Sequence, residues 1–551
     1  MNRTNARRIR FFGLWLLLAC AANAVGISAA QEAAPKKIVL IAGTVTGHPK
    51  DAHEYEKSVI LLKHLLESTP SLRGKIEVRA YFHGWPNNPA ALDEAGTIVM
   101  ITDGSDRNLL DHPLYVGDRL AQLEKQMKRG CGFVQFHWST FNPAAHQDKI
   151  LEWVGGYFDY ESGTAANHWF SAITHQDWIV TPATPEHPIN RGVKPFKLRE
   201  EFYHHIRFRD HDRRLQPIVG VGPSEKNEWT VGWAVERADG GRGFGFTGGH
   251  YYDDWWNDDF RKLILNAILW SAKVEVPARG VETKMEPKIS ALILTGHNHP
   301  AHEWNSVTAA LLLVLEQDPR MVVHVSENIE DLATPKIDGY DLLVLNYNNW
   351  DRPGLSEAAK DNFLRYLKNG GGLAIIHFAN GAFHPSLVGA RPADAWPEYY
   401  EKICRRAWDH KADSGHDAFG PLRVDISDAK HPITAGLKPF ETQDELYFNQ
   451  KGNLPIEPLV TALSKITGKN EPLAWAYNYE KARVFQTVLG HADVSVRKAG
   501  ALIRRGCIWA SGREQLSFDP PTELTEGALF REGSLWKPKL PSKPDAPKAR
   551  P

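Results

Sequence analysis

Cysteine is scarce: four residues in a chain of 551. One of them, Cys20, falls in an N-terminal segment that reads as removable, which leaves Cys131, Cys404 and Cys507. An odd, sparse set is no disulfide framework, and buried free thiols are the expectation. Net charge is nearly absent as well, at −1, so nothing favours nucleic acid or an anionic membrane surface as a partner. Beyond the N-terminus no apolar run is long enough to span a bilayer. No GxSxG elbow and no P-loop is present. What the chain does have is histidine (24) and tryptophan (18). Tryptophan offers a flat amphipathic face that can stack on a sugar ring or simply pack a core.

Arg3, Arg7, Arg8 and Arg10 precede an apolar run from Phe11 to Ala22, and Ser28-Ala29-Ala30 stand before Gln31. This is the pattern of an export signal, with residues 1–30 removed and a periplasmic or extracellular product. Two variants stay open. Leu17-Leu18-Ala19-Cys20 resembles a lipoprotein cleavage site, which would place a lipid anchor on Cys20. Arg7-Arg8 ahead of Phe11-Phe12 resembles a twin-arginine signal.

The chain is duplicated. "TGHPKDAHEY" (46–55) returns as "TGHNHPAHEW" (295–304), "RGCGFVQFHW" (129–138) as "NGGGLAIIHF" (369–378), and "HPINRGVKPF" (187–196) as "HPITAGLKPF" (431–440). "REEFY" (199–203) pairs with "QDELY" (443–447), and "GFTGGH" (245–250) with "QTVLGH" (486–491). The offset runs only from 249 (46 to 295) to 239 (270 to 509, the two late tryptophans). An order kept this closely marks an internal repeat. The expected division is repeat 1 over 37–273, a Pro- and charge-rich linker over 274–287, repeat 2 over 288–515, and an extension over 516–551 ending in a Pro/Lys-rich tail of disordered composition.

Each repeat opens with a continuous apolar strand, at 37–43 or 288–296, followed by a helical stretch. Further strands are expected at 75–82 and 97–102, and at 321–325 and 341–346. A helix then ends at "RGCG" or "NGGG", where glycine can stop it. The next strand runs into His137 or His377. Alternation of helices with uniformly apolar strands indicates an α/β fold with a doubly wound parallel sheet in each of two tandem domains. In such sheets ligands bind beyond the carboxyl ends of the strands. His53, Glu54, Asp103, His137 and His250 follow strand ends in repeat 1, as do His302, Glu303, Asn346, His377 and His491 in repeat 2.

These residues carry the candidate chemistry. His53, Glu54, His137, Glu201 and His250, with His302, Glu303, His377, Glu445 and His491, are the acid–base candidates, because histidine exchanges protons near neutral pH and a carboxylate can act as base or orient a histidine. Glu54 and Glu303 also have a plainer reading, as acidic groups at the positive end of a helix. His187 and His431, each before proline, read as turn residues. Asp103 and Asn346 are placed as substrate contacts. In repeat 1, Tyr251, Tyr252, Trp255 and Trp256 are expected to form a sugar platform, which "ADVSV" (492–496) lacks in repeat 2. Within 295–304, His297, His299 and His302 resemble a local metal motif, but their spacing matches no established zinc pattern. His299 aligns with Lys50 and drops out of the shared set. A divalent metal held by His302, His377, Glu445 and His491 stays open, since imidazole and carboxylate suit zinc-like ions.

The shared motifs resemble the ThuA-like family, named for trehalose utilisation. They are the Gly-His…His-Glu-aromatic start, the glycine-led apolar strand into histidine, the His-Pro-Ile-x-x-Gly segment, the Glu-x-Tyr step and the late Gly-His. The resemblance implies a flavodoxin-like, class I glutamine amidotransferase-like fold. It also implies a small-molecule carbohydrate partner, a disaccharide or keto-sugar, processed as an isomerase, lyase or hydrolase. Amidotransferases of that fold carry a nucleophilic cysteine just after a strand. Here that position reads "QFHWST" or "IIHFAN", which argues against a thiol nucleophile. A sugar-binding or scaffold protein without turnover and a metal-dependent hydrolase are the alternatives. Oligomeric state is left open.

Overall fold

The computed structural model describes residues 34–515 except 45–47, 50, 165–168, 223–228, 297–298 and 351. The export signal and the Pro/Lys-rich tail lie outside the described residues, as do His297 and Lys50. Two nine-stranded sheets of identical topology dominate the described residues. In repeat 1 the strands are β1 (Lys36–Ala42), β2 (Ile76–Tyr81), β3 (Ala95–Ile101), β4 (Gly132–Phe136), β5 (Ala172–Pro182), β6 (Phe196–His204), β7 (Leu215–Val221), β8 (Trp229–Glu236) and β9 (Arg242–Phe246). Their order across the sheet is β2-β1-β3-β4-β9-β8-β7-β5-β6. Repeat 2 copies it with β10 (Ile289–Leu294), β11 (Met321–Ser326), β12 (Leu342–Leu345), β13 (Gly372–Ile376), β14 (Gly420–Ile426), β15 (Phe440–Asp444), β16 (Pro458–Leu463), β17 (Asn470–Tyr479) and β18 (Ala482–Thr487).

The parallel expectation holds for the half of each sheet that carries the crossovers. β2, β1, β3, β4 and β9 run parallel. From β9 outward, β8, β7, β5 and β6 pair antiparallel, and repeat 2 does the same. β8 and β9 are joined by the short turn 237–241, a connection that only antiparallel neighbours accept. β1 shows why the parallel half is apolar throughout. Ile38, Leu40 and Ala42 pack into one core layer, while Val39 and Ile41 pack into the layer on the opposite face. A strand covered on both faces has no polar side to show.

The repeats also touch each other. Lys57 Nζ donates to the Met321 carbonyl at 2.9 Å, and Tyr252 OH donates to the Pro319 carbonyl at 2.7 Å. Cys131, Cys404 and Cys507 are all free and buried, as expected. Burial pushes the Cys131 thiol up to about 11. Among the described residues no helix is long and apolar enough to cross a membrane.

Candidate functional site

Each parallel half-sheet delivers its histidines to one edge. His53 stands two residues ahead of helix α1 (Tyr55–Ser68), and His302 two residues ahead of helix α2 (Trp304–Glu316). His137 and His377 are the first residues after β4 and β13, and His250 and His491 follow β9 and β18. His137 and His377 take left-handed backbone, at φ +52° and +45°, as does His53 at +55°. A non-glycine residue held there stores strain, of the kind that turns a strand-end side chain out over the sheet edge.

In repeat 1, His53 Nε2 lies 2.9 Å from His250 Nδ1, and His137 Nε2 lies 3.3 Å from the same atom. The outer nitrogens are engaged. His137 Nδ1 donates to the Thr247 carbonyl at 2.7 Å. His53 Nδ1 meets Tyr55 OH at 2.6 Å, and Tyr55 is hydrogen-bonded in turn to Asp103. Tyr203 OH donates to His137 Nε2 at 2.8 Å. Glu201 stands at the edge, 3.6 Å from His250 Nδ1. His48 stacks on His53 with centroids 3.8 Å apart, and the Arg107 guanidinium lies 4.6 Å from the centroid of the Trp138 ring. Together they cover this cluster.

In repeat 2, His302 Nε2 lies 3.1 Å from His377 Nε2, and His377 Nδ1 donates to the Val488 carbonyl at 2.6 Å. Tyr447 OH donates to His377 Nε2 at 2.8 Å. Glu445 Oε2 is 3.2 Å from His491 Nδ1, and Glu445 Oε1 is 3.5 Å from His416 Nδ1. Ligand-type atoms of His302, His377, Glu445 and His491 all fall within 4.8 Å of one another, as do those of His53, His137 and His250.

Burial drives these imidazoles toward the neutral form, and their neighbours reinforce it. His250 is pushed down to about 4 and His377 to about 3. His53, His137 and His302 also lie well below the usual histidine value, through desolvation first and mutual repulsion second. His53, His137, His250, His302 and His377 are therefore neutral rings at neutral pH, able to accept protons from acidic partners or to ligate a cation.

Several predicted residues go elsewhere. Glu54 is buried, but its carboxylate accepts from the Asp51 amide at 3.0 Å, away from the histidines. Glu303 is exposed at the start of α2. Asn346 ties the loop together from inside, donating to Thr308 Oγ1 at 3.0 Å and to the Trp304 carbonyl at 3.2 Å. Asp103 sits behind Tyr55 and reaches the cluster only through it. The aromatic platform of repeat 1 is not formed. Trp255 is 2% exposed and donates to Ser58 Oγ at 3.0 Å, and Tyr252 is equally buried against repeat 2. Trp256 donates to the Glu286 carbonyl. Tyr251 alone stays beside the site, its ring 4.6 Å from His250. The run is a single 3₁₀ turn entering the helix over Asp258–Ser271, so its large rings fall inward onto the core. His187 and His431 are turn residues, each accepting a backbone amide two residues on at 3.2 Å.

Sequence reasoning passed over the carboxylates next door. Glu200 accepts from the His250 amide at 2.9 Å, and Asp444 accepts from the Gly490 amide at 2.7 Å and the His491 amide at 3.2 Å. Tyr203 and Tyr447 were equally unassigned. Their signal was in plain view, as the tyrosine shared by "REEFY" and "QDELY".

The family model described as "ThuA: Trehalose utilisation" matches residues 40–271 and 290–510. The chain belongs to the ThuA family. Its two strand-end histidine clusters thus fall one in each ThuA segment, and the family description gives the protein a carbohydrate-related role. Solved structures similar to this ThuA chain include a putative ThuA-like protein of Parabacteroides merdae, 26% identical, over 42% of this chain and 93% of that one, with a TM-score of 0.36. Another, from Bacteroides uniformis, is 17% identical over 42% and 96%, with a TM-score of 0.33. No curated protein matches the ThuA chain.

Proposed function

We propose that the protein processes a disaccharide or keto-sugar by proton transfer, with repeat 2 as the reacting site. The observation that carries this reading is the pairing of a carboxylate with imidazoles: Glu445 against His491, beside His377 and Tyr447. Trp350, Trp408 and Phe419 flank it. Their rings lie 4.6 Å from His299, 4.6 Å from Tyr447 and 5.3 Å from His491 respectively, and Phe419 is 44% exposed. Aromatic faces of this kind suit the apolar face of a sugar ring.

The chemistry follows from the residue types. A carbon beside a sugar carbonyl is acidified. Glu445 takes its proton, the C–H electron pair moves into an enediolate, and Tyr447 or a histidine supplies the proton to the carbonyl oxygen. Return of a proton at the neighbouring carbon gives an isomer. Expulsion of a glycosyl oxygen from the adjacent carbon instead gives elimination. Cys131 and Cys507 are buried thiols held in the neutral form, so a thiolate nucleophile has no support.

Repeat 1 supports a second role, binding without turnover. Its cluster is fully buried beneath His48, Trp138 and Arg107. Calorimetric titration with disaccharides and their keto-oxidised forms, with product analysis, tests the reading. Binding with no product from any of them would refute turnover and leave the binding role.

A further inference from the structure

The tautomers of repeat 2 leave two unprotonated ring nitrogens facing each other. His377 Nδ1 bonds to a carbonyl oxygen, which can only accept, so that nitrogen carries the proton and Nε2 does not. His299 Nδ1 accepts the Ala301 amide at 3.1 Å, so the 2.7 Å contact between His299 Nδ1 and His302 Nδ1 takes its proton from His302. His302 Nε2 is then unprotonated too. It nevertheless sits 3.1 Å from His377 Nε2. Tyr447 OH already donates to His377 Nε2 at 2.8 Å, so the lone pair without a donor among the described residues is that of His302 Nε2. A cation ligated by both rings would take it up, releasing Tyr447 OH from His377. His491 Nδ1 adds a buried atom with no hydrogen-bond partner among the described residues, 3.2 Å from Glu445 Oε2.

The 3.1 and 3.2 Å separations are those of donors on one ion. Ligands at 2.0–2.1 Å lie about 3.3 Å apart on a tetrahedral centre and about 3.0 Å apart at right angles. We infer that repeat 2 binds one divalent transition-metal ion of the zinc class, through His302, His377, His491 and Glu445. Imidazole-rich sets with one carboxylate suit zinc, iron or nickel rather than magnesium or calcium, which prefer all-oxygen shells. His299 and the Val488 carbonyl are the orienting partners that metal-bound histidines require. The ion would lie where a sugar carbonyl approaches and would polarise it, with Glu445 holding the ion through one carboxylate oxygen and taking the proton on the other. That last step rests on the proposed function; binding itself does not.

Repeat 1 does not need an ion. His250 Nδ1 can donate to His53 Nε2 at 2.9 Å while Tyr203 OH donates to His137 Nε2 at 2.8 Å, so the contacts there close with hydrogen bonds. Its carboxylate is also outside the shell, with Glu201 3.6 Å from His250. Repeat 1 therefore binds the ion far more weakly, and the expected stoichiometry is one per chain.

The test uses the full chain, stripped with chelator, reloaded with Zn²⁺ or Co²⁺ and freed of excess ion. Mass spectrometry gives metal content, and Co²⁺ absorption reports an ordered site. One retained ion per chain is expected, lost in Glu445→Gln and His302→Ala and kept in His53→Ala. His299→Ala, which touches no ion, should weaken Zn²⁺ affinity roughly 10–100-fold. Circular dichroism accompanies each variant, and Glu445→Gln, nearly isosteric, carries the test if His302→Ala does not fold. No retained ion in the wild type, or an ion lost by His53→Ala and kept by Glu445→Gln, overturns the inference. Metal content without sugar turnover sinks the proposed function alone, and turnover by the metal-free chain sinks only the ion's part in the reaction.

Discussion

His302 Nε2 and His377 Nε2 face each other at 3.1 Å, although one ring precedes a helix and the other ends a strand 75 residues later. The outer nitrogen of each is already committed, His302 to His299 and His377 to the Val488 carbonyl. The contact separates the two repeats. In repeat 1 the corresponding ring, His53, is held instead by Tyr55 and, behind it, Asp103.

The first prediction concerns the strand-end histidines. His377→Ala should lower turnover of a keto-oxidised disaccharide by about 100-fold or more, the usual contribution of a positioned acid–base group. His137→Ala should leave most of it. The double variant should match His377→Ala in steady-state kinetics. A double variant as active as wild type would remove both residues from the chemistry.

The aromatic rim should act on binding. Phe419 is exposed and Trp350 half-buried beside the repeat-2 cluster. Phe419→Ala and Trp350→Ala should each weaken sugar binding by about 1 kcal/mol, roughly fivefold in KM, with little change in kcat. An equal loss in kcat with KM unchanged would assign these rings to the reaction rather than to recognition.

Gly490 sets His491 against His377. It adopts φ +125°, and an added Cβ would lie 3.1 Å from Ile376 Cγ2 and 3.5 Å from His377 Cβ. Gly490→Ala should cost about 1–3 kcal/mol, read as a lower unfolding midpoint in urea. Gly249 is tighter still, with Phe136 Cε1 2.2 Å from the added Cβ, so Gly249→Ala should cost more. A neutral Gly249→Ala would mean that the "GGH" turn is not needed for the fold.

Acid should destabilise repeat 1 through His250, whose pKa falls from 6.5 to about 4 on folding. The unfolded chain then binds the proton first. This contribution is fully present above pH 6.5 and is lost as pH falls toward about 4. Buried carboxyls oppose it: Asp254, pushed up to about 6, loses stability as pH rises. Comparison with His250→Gln isolates the histidine. Between pH 6.5 and 4.5 the wild type should lose on the order of 2 kcal/mol more than the variant in urea unfolding. Parallel curves would show that His250 titrates normally in the folded state.

Much of the fold was legible because periodicity and repetition are local signals. The apolar runs of β1 and β10 name strands buried on both faces, and the kept offset names two copies of one unit. The antiparallel half of each sheet was less legible, since its strands alternate burial irregularly. β5, for instance, buries only Trp178 and Val180 among mostly exposed or half-buried residues. The aromatic run 251–256 was misread for a different reason. A cluster of large rings gives the same sequence pattern whether it faces solvent or core, and only the 3₁₀ turn decides which.

His299 shows the same division at the scale of one side chain. Its alignment with Lys50 removed it from the shared set, and that inference is sound for a ligand common to both repeats. Yet repeat 2 has Trp304 where repeat 1 has Tyr55, and Asn346 where repeat 1 has Asp103. Repeat 2 thus lacks the hydroxyl that orients His53, and His299 supplies the nitrogen that orients His302 in its place.

The sequence by itself determined two α/β repeats, the strand ends at which histidines gather, and the absence of a thiol nucleophile at that edge. Those are consequences of hydrophobic period, glycine placement and residue type. Only the tertiary structure decided which histidine nitrogens meet, that Glu445 joins its cluster while Glu201 stands at the margin, and that Glu54 and Glu303 stay out. Such choices turn on separations of a few tenths of an ångström and on which ring nitrogen holds the proton. Both are set by partners from distant strands, which no local pattern encodes.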